Sequence, residues 1–268
     1  MKKVIYKDWD IEITVREILV SIAIFLLLSG IGCLTYGNID NKDQVKEYES
    51  AQIIQDDKGK LDYLVNTKFG NVIAYSTFKT NDKNTVTFEE IDSKYSFIKR
   101  VKQKYTMHTR TVCSGSGKTK TCRTETYWTW DNVDIDRKYA KNIDFMGYSF
   151  EGKKLLNQIS NDSLKLSKKI YKGKYMKINS KYVYESSHIR YYYEYIPINF
   201  KASIFSNTRD KEVFKEYTLF YKQTPEQAIE TIKSYATAGK ILFVVIWIVM
   251  MIAVICGYVK LDNNYLED

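Results

Sequence analysis

Two stretches without a single charge decide what this chain can become. Ile18–Tyr36 and Ile241–Val259 each run for nineteen residues, the second fenced by Lys240 and Lys260. Nineteen residues of helix cover about 28 Å at ~1.5 Å each, close to the ~30 Å hydrocarbon core of a bilayer. A helix packed into a soluble core keeps a polar face, and neither run has one. Each run is therefore expected to be a transmembrane helix. The mean hydropathy of −0.37 would suit a soluble protein only because the average hides this clumping.

The first run is not expected to be a cleaved signal peptide. Seventeen residues precede it, and no Ala-x-Ala pattern follows it. Cys33 after Gly32 brings a lipoprotein signal to mind, but the position three before the cysteine is Gly30, where an aliphatic residue is needed. The inert intramembrane thiol is the better reading. Lys2, Lys3, Lys7 and Arg16 precede the first span, whereas only Lys42 and Lys46 follow it closely. The excess places the N-terminus inside. The expected layout is a cytoplasmic N-terminus (1–17), a first span (18–36), an extracytoplasmic domain (37–240), a second span (241–259) and a cytoplasmic tail (260–268). That is a multi-pass plasma-membrane protein with both termini in the cytoplasm.

Charge sharpens the picture of the middle. The chain carries 41 Lys and Arg against 32 Asp and Glu, a net +9. Setting aside the two flanks leaves 36 basic against 25 acidic residues between the spans, a net +11. Such a domain attracts anionic headgroups, anionic wall polymers or nucleic acid. On an extracytoplasmic domain nucleic acid is not expected. An aromatic content of 15%, with only 2 prolines, argues for a folded domain and against disorder.

The patterning predicts an α+β, mainly β, domain. A polar, glycine-free stretch over 38–58, punctuated by Ile39, Val45, Tyr48, Ile53 and Ile54, predicts a helical stalk ending at Lys58-Gly59. Asn71–Thr80 and Thr85–Ile91 alternate as strands. Arg100–Val112 and Arg123–Trp130 alternate on either side of a Gly/Ser/Lys/Thr loop and predict one long hairpin. Tyr127 and Thr129 then share one face, Trp128 and Trp130 the other. Ile143–Phe150 reads as a strand, Lys153–Ile170 as a helix and Tyr182–Phe205 as further β structure. Thr224-Pro225-Glu226-Gln227 is a helix start, with Thr224 as cap and Pro225 in the first helical position. That helix is expected to feed the second span.

Four cysteines divide cleanly. Cys33 and Cys256 lie in the spans; Cys113 and Cys122 face each other across the hairpin loop and predict a disulfide in an oxidising exterior. A metal site lacks ligands, since the chain has two histidines and no further cysteine outside the spans. Gly115-Ser116-Gly117-Lys118-Thr119 imitates a phosphate-binding loop, but Val112 stands where the motif needs its first glycine, and both flanks are strand-like. His108 and His188 belong to no nucleophile or metalloprotease pattern, so neither enzymatic activity nor a cofactor is expected. The distinctive chemistry is aromatic. Tyr127, Trp128 and Trp130 form one cluster; Tyr182, Tyr184, Tyr191, Tyr192, Tyr193 and Tyr195 form another, interleaved with Lys102, Lys104, Arg110, Arg123 and Arg190. The expected binding surface is Tyr127, Trp128, Trp130, His108 and Arg110.

Glu12–Leu19, Lys104–Val112, Thr126–Asp131 and Ser187–Tyr193 together resemble an uncharacterised family of two-span membrane proteins of low-GC Gram-positive bacteria and their prophages. The likeness runs over most of the chain and is most specific from Tyr105 to Asp131. It implies an envelope setting, with a phage link, and no activity or catalytic residue. It also implies that the cysteine pair is a local addition. The role expected is non-enzymatic binding or structure, toward the lipid bilayer and an anionic wall polymer, a membrane protein or a phage component. The alternative is a membrane-assembly protein, a homo-oligomeric pore or an accessory subunit, acting through helices that pack at Ser21, Ser29, Gly30 and Gly32.

Overall fold

A computed structural model describes residues 4–8, 11–38, 42–115, 120–209 and 214–267. Lys2, Lys3, Ile39, Asp268 and the loop residues 116–119, on which some of the expectations above rest, lie outside them. The chain divides into two units, Met1–Ser50 with Gln227–Asp268, and Ala51–Glu226.

The first unit opens with the short antiparallel pair β1 (Val4–Asp8) and β2 (Ile11–Thr14), followed by helix α1 (Val15–Asn38). The start of α1 is a capping box that the sequence carries as Thr14-x-x-Glu17. The Thr14 hydroxyl accepts from the Glu17 amide at 3.3 Å, and a Glu17 carboxylate oxygen accepts from the Thr14 amide at 2.6 Å. After α2 (Lys42–Glu49), the unit is completed by α5 (Pro225–Glu267), unbroken for 43 residues. Val15–Gly37 and Pro225–Asn263 are long and apolar enough to cross a membrane. The residues of these two helices are left largely uncovered by protein; Leu27, Leu34 and Val249 are all exposed. Two candidate membrane-spanning helices with bare apolar flanks suggest a membrane protein.

Gly32 sets how closely α1 meets α5. A side chain there would put Cβ 2.4 Å from the Trp247 ring nitrogen. With glycine in place, that indole donates to the Leu28 carbonyl at 3.1 Å. Ser29 lies 3.8 Å from the Met251 sulfur, while a Cβ at Gly30 would meet nothing within 4 Å. Arg16 and Asp262 pair near the far ends of the two helices, and Lys233 bonds Glu49 of α2 at 2.6 Å.

The second unit is built on two sheets. In the first, β4 (Asn71–Lys79) is central. It pairs antiparallel with β13 (Asn199–Asn207), which pairs in turn with β14 (Tyr217–Tyr221). Its other edge carries β3 (Gln52–Gln55) in parallel and then the hairpin β7 (Asn142–Phe145) and β8 (Tyr148–Glu151). Helices α3 (Lys58–Asn66) and α4 (Gly152–Leu156) bring Leu61, Leu64, Leu155 and Leu156 to the same core. At its centre the Phe78 ring stacks between Phe145 at 4.2 Å and Phe200 at 5.2 Å.

The second sheet runs β10 (Lys177–Ile178), β11 (Val183–Tyr184), β12 (Ile189–Ile196), β5 (Phe97–Ser114) and β6 (Thr121–Tyr139), with β9 (Asp162–Ser163) also on β12. Its own core gathers Phe88, Ile91, Tyr95, Ile98, Leu164, Leu166, Tyr171, Val183 and Tyr193.

Four expectations need correction. The stalk helix stops at Glu49: Ile53 and Ile54 form β3, Ile54 is buried, and a new helix starts after Asp57, whose side chain accepts from the Lys60 amide at 2.9 Å. Thr85–Ile91 is irregular, tied by single bridges at Val86 and Ile91, because Phe88 and Ile91 both turn into the second core. Ile143–Phe150 is two strands joined by Met146 and Gly147, both at positive φ (49° and 88°), which is a two-residue turn of the type that suits strand twist. Lys153–Ile170 is helical only to Leu156; Leu164 and Leu166 then reach the second core from extended backbone, their amides bonding the Tyr193 and Ser180 carbonyls.

Candidate functional site

The long hairpin outgrows its sheet. β12 pairs with β5 from Ile196↔Phe97 to Ile189↔Lys104 and then ends. From Tyr105↔Trp130 to Ser114↔Thr121, ten residue pairs continue as a ribbon of β5 and β6, joined to the rest of the sheet only at its first pair, where the Tyr105 amide donates to the His188 carbonyl at 2.9 Å. At ~3.4 Å per residue this is an arm about 34 Å long. Both faces of such a ribbon meet solvent, and two strands alone are barely stable in water, so cross-strand contacts must hold it. An irregularity between Lys102 and Gln103 leaves Val133 without a partner where the arm departs. At the outer end Cys113 and Cys122 are opposite each other, with Cα atoms 4.0 Å apart and sulfurs 2.09 Å apart. The loop between them, with its phosphate-loop imitation, is flanked by strand on both sides.

The faces differ sharply. On one, Gln103, Tyr105, Met107, Thr109 and Thr111 oppose Asn132, Trp130, Trp128, Thr126 and Thr124, with no charge among them. Tyr105 lies 5.4 Å from Trp128 and 5.2 Å from Trp130. Met107 is 56% exposed and Trp128 52%, large apolar groups that a lone soluble surface does not normally hold out together. The opposite face carries the charges and, Lys104 apart, pairs them internally. Arg110 and Arg123 both bond the Glu125 carboxylate, at 3.1 and 2.7 Å. Tyr127 stacks on His108 at 5.5 Å and under the Arg110 guanidinium at 5.8 Å.

Thr106, His108 and Asp131 meet on that second face. The Thr106 hydroxyl donates to Asp131, and His108 Nε2 donates to the same oxygen at 2.5 Å. These two bonds hold the Asp131 carboxyl below its ordinary range, Thr106 contributing more. The composition imitates a nucleophile–base–acid relay, but the geometry does not. A relay needs hydroxyl and carboxylate on opposite imidazole nitrogens; here both crowd Nε2, so the trio acts as a clasp between the strands. Among the described residues no group of three or more His, Cys, Asp or Glu could hold a metal ion.

The expected surface of Tyr127, Trp128, Trp130, His108 and Arg110 is therefore two surfaces. His108, Arg110 and Tyr127 share the charged face, and Trp128 and Trp130 share the uncharged one. The second tyrosine cluster also splits. Tyr193 is 1% exposed and donates to Glu90 at 2.9 Å, which also accepts from Arg100. Burial, then Glu90, pushes the Tyr193 phenol far up. Tyr182 and Tyr184 instead join the uncharged face at the root of the arm, where Trp130 meets Tyr184 edge-on at 6.0 Å. Alternation in β12 carries the signal: Arg190, Tyr192 and Glu194 point one way, Tyr191, Tyr193 and Tyr195 the other.

Comparison with protein-family models, with curated proteins and with solved structures finds no match to this chain.

Proposed function

We propose that this chain is a two-pass plasma-membrane protein with both termini in the cytoplasm, which carries the β-arm outside the cell as a non-enzymatic capture element of the envelope. One observation carries the reading: ten pairs of ribbon run beyond the sheet with an uncharged Tyr/Met/Trp face held open to solvent. Neither core includes a residue of that face; the rest of the unit meets it only at its root, where Tyr184 and Arg190 lie against Trp130. Orientation is supported by the basic excess before the first span and by a cysteine pair suited to an oxidising compartment. The resemblance of the Tyr105–Asp131 block to two-span envelope proteins favours the same setting, with a phage component among its partners. Assembly through the helices is less favoured, because Gly32 and Ser29 are already engaged by Trp247 and Met251 within the chain.

Two experiments test this. In a Cys33→Ser/Cys256→Ser background, a membrane-impermeant maleimide should label intact cells only after reduction. Labelling that needs lysis but no reductant would put the arm in the cytoplasm. Trp128→Ala with Trp130→Ala should abolish partner capture while the protein stays in the membrane fraction. Undiminished capture would end the proposal.

A further inference from the structure

We infer that the root of the arm's uncharged face is a binding site for a polysaccharide bearing phosphate or carboxylate groups, with the Arg190 guanidinium as its anion fork. This rests on the capture reading and names the class of partner. Arg190 is held in an unusual way. Trp130 covers one side of its guanidinium at 4.2 Å, Tyr182 lies against it at 3.8 Å, and its Nε donates to Gln103 at 2.7 Å. Arg100, Arg110 and Arg123 in the same sheet are each answered by a carboxylate; Arg137 on β6 is not, but among the described residues no ring or amide holds it in place either. Among the described residues no carboxylate lies within ion-pair distance of Arg190, and nothing accepts from its two terminal nitrogens.

A guanidinium fixed in plane by rings and an amide, with its terminal donors unanswered, is preorganised for two parallel bonds to an oxyanion. The occupant must also suit what adjoins it. From Trp130 the face continues through Tyr105 to Trp128 without a charge. A pyranose offers that surface an apolar C–H face with hydroxyls at its rim, and tyrosine and tryptophan match it with apolar rings carrying polar tips. Single-stranded nucleic acid would also stack there, but it brings a phosphate at every nucleotide and needs a basic track along its path. This face holds its cations at one end, Arg190 between Trp130 and Tyr182 with Lys181 over the same Tyr182 ring at 5.3 Å, and has none along its Tyr105–Trp128 length, which fits a polymer of mostly neutral rings with spaced anionic groups.

The test uses the full-length protein in detergent micelles, with tryptophan fluorescence as readout and polyglucuronate, phosphomannan, neutral dextran and oligothymidylate as probes. At least one of the two anionic polysaccharides should bind saturably, dextran and oligothymidylate more weakly than it. Arg190→Lys, which keeps the charge but loses the fork, and Arg190→Gln should each weaken binding by roughly tenfold or more. If Arg190→Gln also lowers the melting temperature, the Lys variant decides. Binding of neither anionic polymer, equal binding of dextran, tighter binding of oligothymidylate, or unchanged binding by Arg190→Lys would each overturn the inference. Loss of capture in cells by the Trp128/Trp130 variant, with no polysaccharide bound in micelles, would leave the capture reading standing and remove only the ligand class.

Discussion

Asp131 takes two donors on one oxygen, from Thr106 and His108, and its carboxyl is held below the ordinary value in consequence. The unfolded chain, with an aspartate near pKa 3.9, therefore binds the proton first as pH falls. The stabilisation is fully present above about pH 4 and is lost as pH drops through the lower, folded value. The Asp131 carboxyl should titrate by carbon NMR below the usual range, and Asp131→Asn should remove the acid-side loss of amide protection in the arm. A midpoint at or above 3.9 would contradict the clasp. At the buried pole of the sheet, Tyr193→Phe leaves Glu90 its bond to Arg100 but removes one donor. It should cost about 1 kcal/mol, a fall of roughly 2–4 °C in melting temperature. The disulfide closes a short loop, nominally worth ~2–3 kcal/mol. Because it sits at the free end, Cys113→Ser with Cys122→Ser should raise hydrogen exchange in residues 107–128 and leave β12 protected.

Among the elements, the hairpin was legible because alternation over a long run has no helical reading, and because turn-forming residues and a facing cysteine pair mark its end. Its true extent, Phe97 to Tyr139, was not. Past Asn132 the strand carries Asp134, Asp136, Arg137 and Lys138, a charged run without apolar alternation; Asp136 is fixed by the Arg100 opposite it, and Lys138 by the Thr87 carbonyl outside the hairpin. Elsewhere short apolar pairs were ambiguous between helix and strand: Ile53-Ile54 became β3 because β4 offered it an edge. The site was half legible. Alternation divided Tyr127 from Trp128, but the clamp on Arg190 joins three strands and the Tyr182 turn, which spacing along the chain cannot reveal. The root of the hairpin also depends on one glycine. A Cβ at Gly152 would lie 1.9 Å from the Ala140 carbonyl oxygen, immediately after β6. Gly152→Ala should destabilise the Ala51–Glu226 unit by more than about 2 kcal/mol, read as a lowered urea midpoint; a midpoint within error of wild type would show the backbone yields there freely.

At the scale of the whole molecule, both hydrophobic cores belong to Ala51–Glu226, so that segment made alone in an oxidising compartment should fold and unfold in one cooperative urea transition. Separate transitions for the two cores would mean that the sheets are independent. The arm's junction with its sheet has a mechanical consequence. A pull applied at the disulfide-closed tip, directed along the strands, tensions β5 and β6 together; neither slides past the other, and their ladder is not sheared. The load passes instead to the eight residue pairs that bind β5 to β12, which resist in parallel and must give almost at once. A captured object tugging on the tip would therefore meet a stiff tether, whereas a force prying the two strands apart at their base would break the same ribbon one rung at a time.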